Sequence, residues 1–181
     1  ITGTNDAPEI TSVTGITDLI GAVTEDTAVG SLTDFGILTF KDIDLIDTHT
    51  ASAVLKSTTL NNPATAKGVV SFNAAQESST TEAGQIRWNY SIDNSAVQYL
   101  AKGETASEIW TVTIADPNGG TATQDITITI KGTNDAPEIT RVTGTTELIG
   151  AVTEDTDVVQ PGSLTDFGIL TFKDIDLIDT H

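Results

Sequence analysis

Apolar and polar residues alternate along several short stretches of the chain, which is the pattern of β-strands with one buried face. The alternation is clearest in residues 86–92, 110–114 and 126–130, where every second residue is Ile, Val, Trp or Tyr. Asp-Pro-Asn-Gly-Gly at 116–120 separates the last two stretches and is typical of a tight turn. With weaker runs included, the pattern predicts seven strands: A within 9–23, B 31–41, C 50–57, D 68–73, E 84–92, F 108–115 and G 121–131.

Seven short strands indicate an all-β fold, an immunoglobulin-like sandwich of two sheets. The composition agrees, because aromatic residues make up 5% of the chain and the β-branched Thr, Ile and Val are frequent. Trp88 and Trp110 fall on the inward faces of strands E and F, which favours core packing over sugar binding. Between these strands, Asp93 or Asn94 is expected to cap a helical turn that runs through Leu100 and ends at Gly103.

The chain also repeats itself, and such repetition determines architecture. Residues 1–27 recur almost unchanged from Ile130, and the copy then has an insertion around Asp157 to Pro161. After the insertion, residues 162–181 match 30–49, so that His181 corresponds to His49. We therefore expect one complete repeat at 8–131 and a truncated second copy at 138–181. Residues 1–7 and 132–137 are then linkers, and the chain is expected to be a piece of a longer protein with further copies.

The charge of the chain excludes some partners. The formal net charge is −18, from 26 acidic and 8 basic residues, so the surface repels nucleic acid and anionic lipid. There is no Cys, hence no disulfide and no thiol ligand or nucleophile. No apolar stretch approaches the length of a membrane-spanning helix.

The strand order predicts where the acidic residues collect. If each strand reverses direction, A, C, E and G run one way and B, D and F the other, so the loops alternate between two poles and the termini lie at opposite ends. The lower pole then holds Glu25, Asp26, Asp93, Asn94 and Glu104. The upper pole holds Asn5, Asp6, Asp42, Asp44, Asp47, Asp116 and Asn118. Repulsion among these acids would destabilise each pole unless a cation bound there.

Calcium is the cation that such loops suit, because it takes six to eight oxygen ligands from carboxylates, amides and backbone carbonyls in flexible geometry. Magnesium fits less well, since it demands strict octahedral geometry. We predict one set of ligands at the upper pole of the first repeat, namely Asn5, Asp6, Asp42, Asp44 and Asp116. We predict a second set at the internal junction, namely Glu25, Asp26, Asn134, Asp135, Asp174 and Asp176. Asp47, Asp93, Glu104 and Asn118 are weaker candidates, because single acidic or amide residues are common in turns.

Several spaced motifs resemble the VCBS repeat of large bacterial adhesins, many of them of the RTX type. They are Gly-Ile-Leu-Thr-Phe-Lys-Asp-Ile-Asp-Leu-Ile-Asp-Thr-His at 36–49, Tyr-Leu-Ala-Lys-Gly-Glu at 99–104, and Asp-Pro-Asn-Gly-Gly-Thr-Ala at 116–122 leading into Gly-Thr-Asn-Asp-Ala-Pro. The ligand pattern is similar to that of cadherin ectodomains, except in the E–F acidic motif. The resemblance implies a seven-stranded immunoglobulin/cadherin-like Greek-key sandwich, a calcium-binding linker at 132–137, and secretion to the bacterial cell surface by a type I system.

The predicted calcium sites and the resemblance together indicate a calcium-rigidified extender, which holds the binding region of an adhesin away from the cell in adhesion or biofilm formation. An enzyme is not expected, because the loop position of His49 favours a turn or packing role and the paired acids lie at junctions rather than in a cleft. The alternative is an interaction module that binds glycan or protein, or that forms a filament by strand exchange. The second copy would then borrow strands for its unpaired edges.

Overall fold

The structure is a computed structural model that describes residues 3–61, 67–154, 158–160 and 163–178. The chain divides into two compact units, Ile1–Thr133 and Asn134–His181. The described part of the chain is almost entirely β-structure, and none of its helices is long and apolar enough to cross a membrane.

The first unit is a sandwich of two sheets. One sheet has the order β1 (Glu9–Thr11), β3 (Ser31–Lys41), β7 (Ala83–Asp93) and β5 (Val69–Phe72), with β6 (Gln76–Glu77) also pairing with β7. The other has the order β2 (Ile20–Thr24), β9 (Thr121–Lys131), β8 (Thr105–Ala115) and β4 (Thr50–Thr58). Every pairing is antiparallel except that of β2 with β9, which is parallel. This is the immunoglobulin/cadherin-like Greek-key topology, with strands A, B, E and D in one sheet and C, F and G in the other.

Predicted strands B, C, E, F and G are confirmed as β3, β4, β7, β8 and β9. The prediction of a single strand A was wrong, because the chain changes sheet between β1 and β2. A turn causes the change: Ile16 and Thr17 donate their backbone N–H groups to the Val13 carbonyl at 3.0 and 2.9 Å, and Gly15 has φ 78°. Predicted strand D, 68–73, is confirmed as β5, and β6 is a further short strand that was not predicted.

The helical turn between β7 and β8 is shorter than predicted. It is a 3-10 helix at Asn94–Ala96, and Asp93 caps it by accepting a hydrogen bond from the backbone N–H of Ser95. The Ser95 hydroxyl, and then this N–H group, lower the pKa of Asp93. Because the Asp93 carboxylate is held by its own helix, its local role is that of a cap.

The core lies between the two sheets, where side chains from alternate positions of the long strands meet. Trp88 and Tyr90 of β7 are fully buried, and Trp110 of β8 packs partly buried against them, so the inward placement of both Trp residues is confirmed. The largest fully buried residues are Trp88, Tyr90, Phe40, Leu32, Leu38, Ile86, Ile92, Ile114, Ile126, Ile128 and Ile130. Burial on this scale is what stabilises a sandwich that has no disulfide.

One inward position of β8 holds a charged residue, Glu108, which the sequence pattern did not single out. Its carboxylate is fully buried and accepts hydrogen bonds from the Tyr90 hydroxyl and the Trp110 Nε1–H group, both at 3.1 Å, and from the Gly68 N–H at 3.3 Å. Burial, and then the neighbouring Glu108 carboxylate, raise the pKa of Tyr90. These bonds satisfy the buried group and join β5, β7 and β8 across the core.

The second unit contains β10 (Glu138–Thr140), β11 (Val158–Gln160), β12 (Ser163–Leu164) and β13 (Thr171–Lys173). β10 pairs with β13 in the register in which β1 pairs with the end of β3, with Glu138 opposite Lys173 as Glu9 is opposite Lys41. β11 and β12 pair in antiparallel fashion beside the predicted insertion. The second unit therefore repeats the pairing of β1 with β3 and adds a strand pair of its own.

Candidate metal sites

The upper cluster comprises Asn5, Asp6, Asp42, Asp44 and Asp116, together with Asp47 and Asn118 beside them. The residues come from three places at one end of the first unit: the segment before β1, the loop after β3, and the turn between β8 and β9. The Asp6 N–H group donates to Asp44 Oδ2 at 2.8 Å, and the Asp44 N–H group donates to Asp42 Oδ1 at 2.8 Å. The entering chain is thus bonded directly to the loop after β3.

Asp116 joins the third segment to the upper cluster. Its Oδ2 accepts a hydrogen bond from Asn5 Nδ2 at 3.1 Å, while its Oδ1 accepts from the N–H groups of Asn118 and Gly120 at 2.7 and 2.9 Å. Burial opposes ionisation of Asp116, but the hydrogen bonds from Asn5 and from the turn N–H groups outweigh it and lower the pKa. A Cβ at Gly120 would lie 2.2 Å from Asp116 Oδ2, so the turn requires glycine there. Nearby, Asn118 Nδ2 donates to Asp47 Oδ2 at 3.0 Å.

The lower cluster lies at the other end of the first unit and includes Glu25 and Asp26, which follow β2. Glu25 is fully buried and donates its N–H group to the Lys131 carbonyl at 2.9 Å. Its Oε2 accepts the N–H group of Thr133 at 2.9 Å. The side chain therefore contacts the segment that leaves the first unit.

Asp26 is bound mainly by neutral amides. It has the left-handed φ of 59°, exchanges hydrogen bonds with the Asn94 amide at 3.0 and 2.9 Å, and accepts from Gln98 Nε2 at 2.7 Å. The Asn94 bond, and then the Gln98 bond, lower the pKa of Asp26. Glu104 is engaged locally, since its Oε2 accepts the Ala101 N–H group at 3.0 Å. Asp26 thus contacts Asn94 and the Thr133 hydroxyl, the latter at 3.4 Å. The carboxylates of Asp93 and Glu104 instead accept hydrogen bonds within their own loop.

The second-unit cluster comprises Asn134, Asp135, Asp174 and Asp176. Asp135 donates its N–H group to Asp176 Oδ2 at 2.9 Å, and Asp176 donates its N–H group to Asp174 Oδ1 at 2.9 Å. Asn134 turns its amide back to the Asp135 carbonyl at 2.7 Å. The two bonds reproduce those of Asp6, Asp42 and Asp44, so the arrangement follows the repeated sequence.

One carboxylate oxygen of the second-unit cluster is buried without a hydrogen-bond partner in the described part of the chain, which favours a cation site there. Asp176 is only 3% exposed, and its Oδ1 has no hydrogen-bond partner among the described residues. A buried carboxylate oxygen without a partner is costly, and a bound cation is one of the few ways to satisfy it. The donors around it are oxygens of acidic and amide side chains, which suit a hard cation.

The ion pairs formed by Lys in the described residues lie outside all three clusters, joining Lys41 to Glu9, Lys56 to Asp125 and Lys173 to Glu138. In those same ranges, no group of three or more His, Asp or Glu side chains is arranged to hold a metal ion. The carboxylates mostly point at N–H groups rather than at one another. A cation would therefore draw part of its coordination from carbonyl and amide oxygens.

His49 is a residue that the sequence placed only as a loop or packing residue. It is buried against the Phe40 ring, with ring centroids 4.7 Å apart. Its ring nitrogens also contact two carboxylates, Asp42 Oδ2 at 3.0 Å and Glu77 Oε1 at 2.9 Å. No local pattern could have shown this, because Glu77 comes from a different strand.

Solved structures of other proteins are similar to this chain, among them a pilin subunit and a set of cadherin-like domains. The CooA pilin subunit from enterotoxigenic Escherichia coli aligns with a TM-score of 0.48 and 12% identity, over 72% of this chain and 100% of the pilin. The zebrafish RET cadherin-like domains 1 to 4 align with a TM-score of 0.40 and 12% identity, over 84% of this chain and 34% of that one. No family model matches the chain, and no curated protein matches it. The sheet order of the first unit by itself defines the class of the protein, an immunoglobulin/cadherin-like β-sandwich.

Proposed function

We propose that this chain is a calcium-rigidified extender repeat of a bacterial cell-surface adhesin, as the resemblance to the VCBS repeat implies. Its partners would be neighbouring repeats of the same polypeptide, and its place would be outside the cell after type I secretion. It would project a binding region for adhesion or biofilm formation and would have no catalytic role.

The observation that supports calcium most is the repeated Asp-x-Asp arrangement, together with the buried Asp176 Oδ1. The same two hydrogen bonds bind Asp6 to Asp44 and Asp42 in the first unit and Asp135 to Asp176 and Asp174 in the second. Because the duplication preserves this geometry, acidic side chains lie beside the linker segment in both units. The chain as a whole has a net charge of −18, so these side chains repel one another. A divalent cation would relieve the repulsion among them.

The residues that would hold calcium are assigned to each unit separately. In the first unit they are Asn5, Asp6, Asp42, Asp44 and Asp116 at one end and Glu25 and Asp26 at the other. In the second unit they are Asn134, Asp135, Asp174 and Asp176. Calcium, when bound, supplies charge neutralisation and a fixed geometry for loops that are otherwise held only by their own hydrogen bonds. Because it would bind the folded state, it would also raise the stability of the fold.

The test is a calcium titration of the intact chain, followed by calorimetry, thermal unfolding and small-angle scattering. We expect saturable binding, a higher melting temperature with calcium than with excess chelator, and a narrower distribution of interdomain distances. Asp176→Asn should weaken one site by roughly tenfold or more, since ligand charge tunes affinity. Asp125→Asn is the matched control, because it removes the same charge from a half-buried strand position that is outside the clusters and paired with Lys56. An unchanged melting temperature and scattering profile in chelator would overturn the proposal.

A second candidate function is self-association by strand exchange, and the exposed apolar residues of the second unit favour it. Ile139, Leu148, Ile149, Phe167, Leu170 and Phe172 are all exposed there. An apolar surface of this kind is a recognised site of pairing between chains. Light scattering over a concentration series separates the two functions: a monomer with and without calcium excludes exchange, whereas a ladder of oligomers supports it.

A further inference from the structure

His49 lies between two elements that its position in the sequence would not connect. The residue is 7% exposed, and its Nδ1 and Nε2 atoms are 2.9 Å from Glu77 Oε1 and 3.0 Å from Asp42 Oδ2. Its backbone N–H group also donates to Glu77 Oε1, at 2.7 Å. Glu77 belongs to β6, which pairs with the opening residues of β7. The imidazole therefore links the loop after β3 to the edge of the sheet.

From His49 the hydrogen bonds continue to the entering chain. Asp42 Oδ2 faces the imidazole, and Asp42 Oδ1 accepts the N–H group of Asp44 at 2.8 Å. Asp44 Oδ2 in turn accepts the N–H group of Asp6 at 2.8 Å. The Asp42 N–H group is bonded to the Glu82 carbonyl at 2.8 Å, so the backbone of Asp42 is anchored independently of its side chain. The backbone of Asp42 is therefore fixed, while the orientation of its carboxylate depends on side-chain contacts. His49 makes the contact to Oδ2, the oxygen that Asp44 does not use.

A donor to one oxygen of a carboxylate orients the whole group, because the two oxygens are rigidly joined. Residues that orient ligating groups in this way commonly change metal affinity by 10- to 100-fold when they are removed. The buried position of His49 against Phe40 restricts the ring, so the orientation it imposes on Asp42 is well defined. Its effect reaches Asp44 and Asp6 through bonds that exist without any ion.

We propose that His49 is a positioning residue that fixes Asp42, and through Asp42 and Asp44 orders the entering segment at Asp6 for cation binding. The calcium part of this inference rests on the proposed function. The ordering of Asp44 and Asp6 does not, since it follows from hydrogen bonds in the protein alone. The two parts can therefore fail separately.

Two substitutions at this position separate positioning from packing. In His49→Gln the side-chain amide lies near the place of Nε2 and can still donate to Asp42, whereas in His49→Asn it lies near the place of Nδ1 and can donate only to Glu77. Both remove the ring contact with Phe40, so each is the control for the other. Far-UV circular dichroism and the combined fluorescence of Trp88 and Trp110, which both pack in the core, establish that each variant is folded.

The first measurement is amide hydrogen exchange in excess chelator. We expect the Asp44 and Asp6 amides to exchange about tenfold faster in His49→Asn than in the intact chain, and within about threefold of it in His49→Gln. The second measurement is a calcium titration followed by the same amides, in which His49→Asn should lose about tenfold in affinity and His49→Gln much less. Equal effects of the two variants, or none from either, would overturn the role of His49.

An intact chain that binds no calcium would overturn the proposed function, while the exchange experiment would still decide the ordering role of His49. If His49→Asn does not fold, nitrogen-15 spectra of the intact chain replace it. The His49 Nε2 resonance should then move with the Asp44 amide along one calcium-binding curve. A His49 resonance that stays unchanged while the Asp44 amide shifts would contradict the positioning role.

Discussion

The two units contain nearly the same sequence in their first strands and yet bury it to very different degrees. Leu38 and Phe40 of the first unit are 0% and 2% exposed, whereas their counterparts Leu170 and Phe172 are 55% and 49% exposed. In the first unit, β4 to β9 supply the opposite sheet and the neighbouring strand. Among the described residues of the second unit, β10 and β13 pair only with each other. The difference shows that an apolar pattern alone does not bury these side chains. They become buried only where the other strands of the sandwich cover them.

The strands themselves differ in the same way. Ile20–Thr24 forms β2 because β9 pairs with it along its whole length, but the counterpart at 149–153 is not a strand. The eleven residues of β3 pair throughout with β7, while among their counterparts only 163–164 and 171–173 are strand. Strand formation at these positions therefore depends on a partner strand rather than on local propensity.

Local contacts, in contrast, are the same in both units. Ala22 donates its N–H group to Asp34 Oδ2 at 2.6 Å, and Ala151 donates to Asp166 Oδ2 at 2.6 Å. Thr17 contacts Thr39 through their hydroxyls, as Thr146 contacts Thr171. These bonds join residues of 17–39 in the first copy and of 146–171 in the second, so both copies contain everything that the bonds require.

The largest difference between the two units is expected in the free energy of unfolding when equivalent leucines are truncated. Leu38→Ala should lower the free energy of unfolding by about 3 kcal/mol, because it leaves a cavity in a closed core, whereas Leu170→Ala should change it by less than about 0.5 kcal/mol. Denaturant unfolding followed by far-UV circular dichroism and by Trp fluorescence measures both. Equal losses in the two variants would mean that the second unit has a closed core of its own.

A smaller effect is expected in the backbone amides of the paired segments. The amides of Gly21 and Val23 should exchange about a hundredfold more slowly than those of their counterparts Gly150 and Val152, because only the first two face a paired strand, β9. Hydrogen exchange resolved by residue measures this difference. The Ala22 and Ala151 amides are the internal reference, since both donate to an Asp side chain. Similar protection of the two segments would contradict the role given to β9.

The smallest effect is expected at the exposed ion pairs that both units share. The hydrogen bond from Lys173, and then its charge, lower the pKa of Glu138, and Lys41 pairs with Glu9 in the same register. Lys173→Met should return the Glu138 pKa toward its ordinary value of 4.5. The pair favours the charged form of Glu138, so its contribution to stability is present above that value and is lost as the pH falls through the lowered pKa.

The pKa of Glu138 is read from the pH dependence of its carboxyl carbon resonance. Lys41→Met is the matched variant in the first unit, and neither change should move the melting temperature by more than about a degree, because such surface pairs contribute little. A large destabilisation in either unit would show that the pair does more than stabilise an exposed strand edge.

Much of the fold was predictable from period-two alternation, which located the five long strands and both inward Trp residues. The division of strand A was not, because residues 9–23 give no sign that their two halves join different sheets. For the candidate sites, the loops that contain the acids could be assigned to each pole from strand order. The partners of individual side chains could not, and Asp26, bound by Asn94 and Gln98, is an example.

The sequence alone determined the repeat, the all-β class and the grouping of acids in loops, because these depend on residue order and on the alternating sides of a strand. Only the tertiary structure decided which leucines are buried, which segments become strands, and that His49 contacts both Asp42 and Glu77. Each of these depends on residues far apart in the chain. Their proximity follows from the pairing of whole strands, which local sequence does not encode.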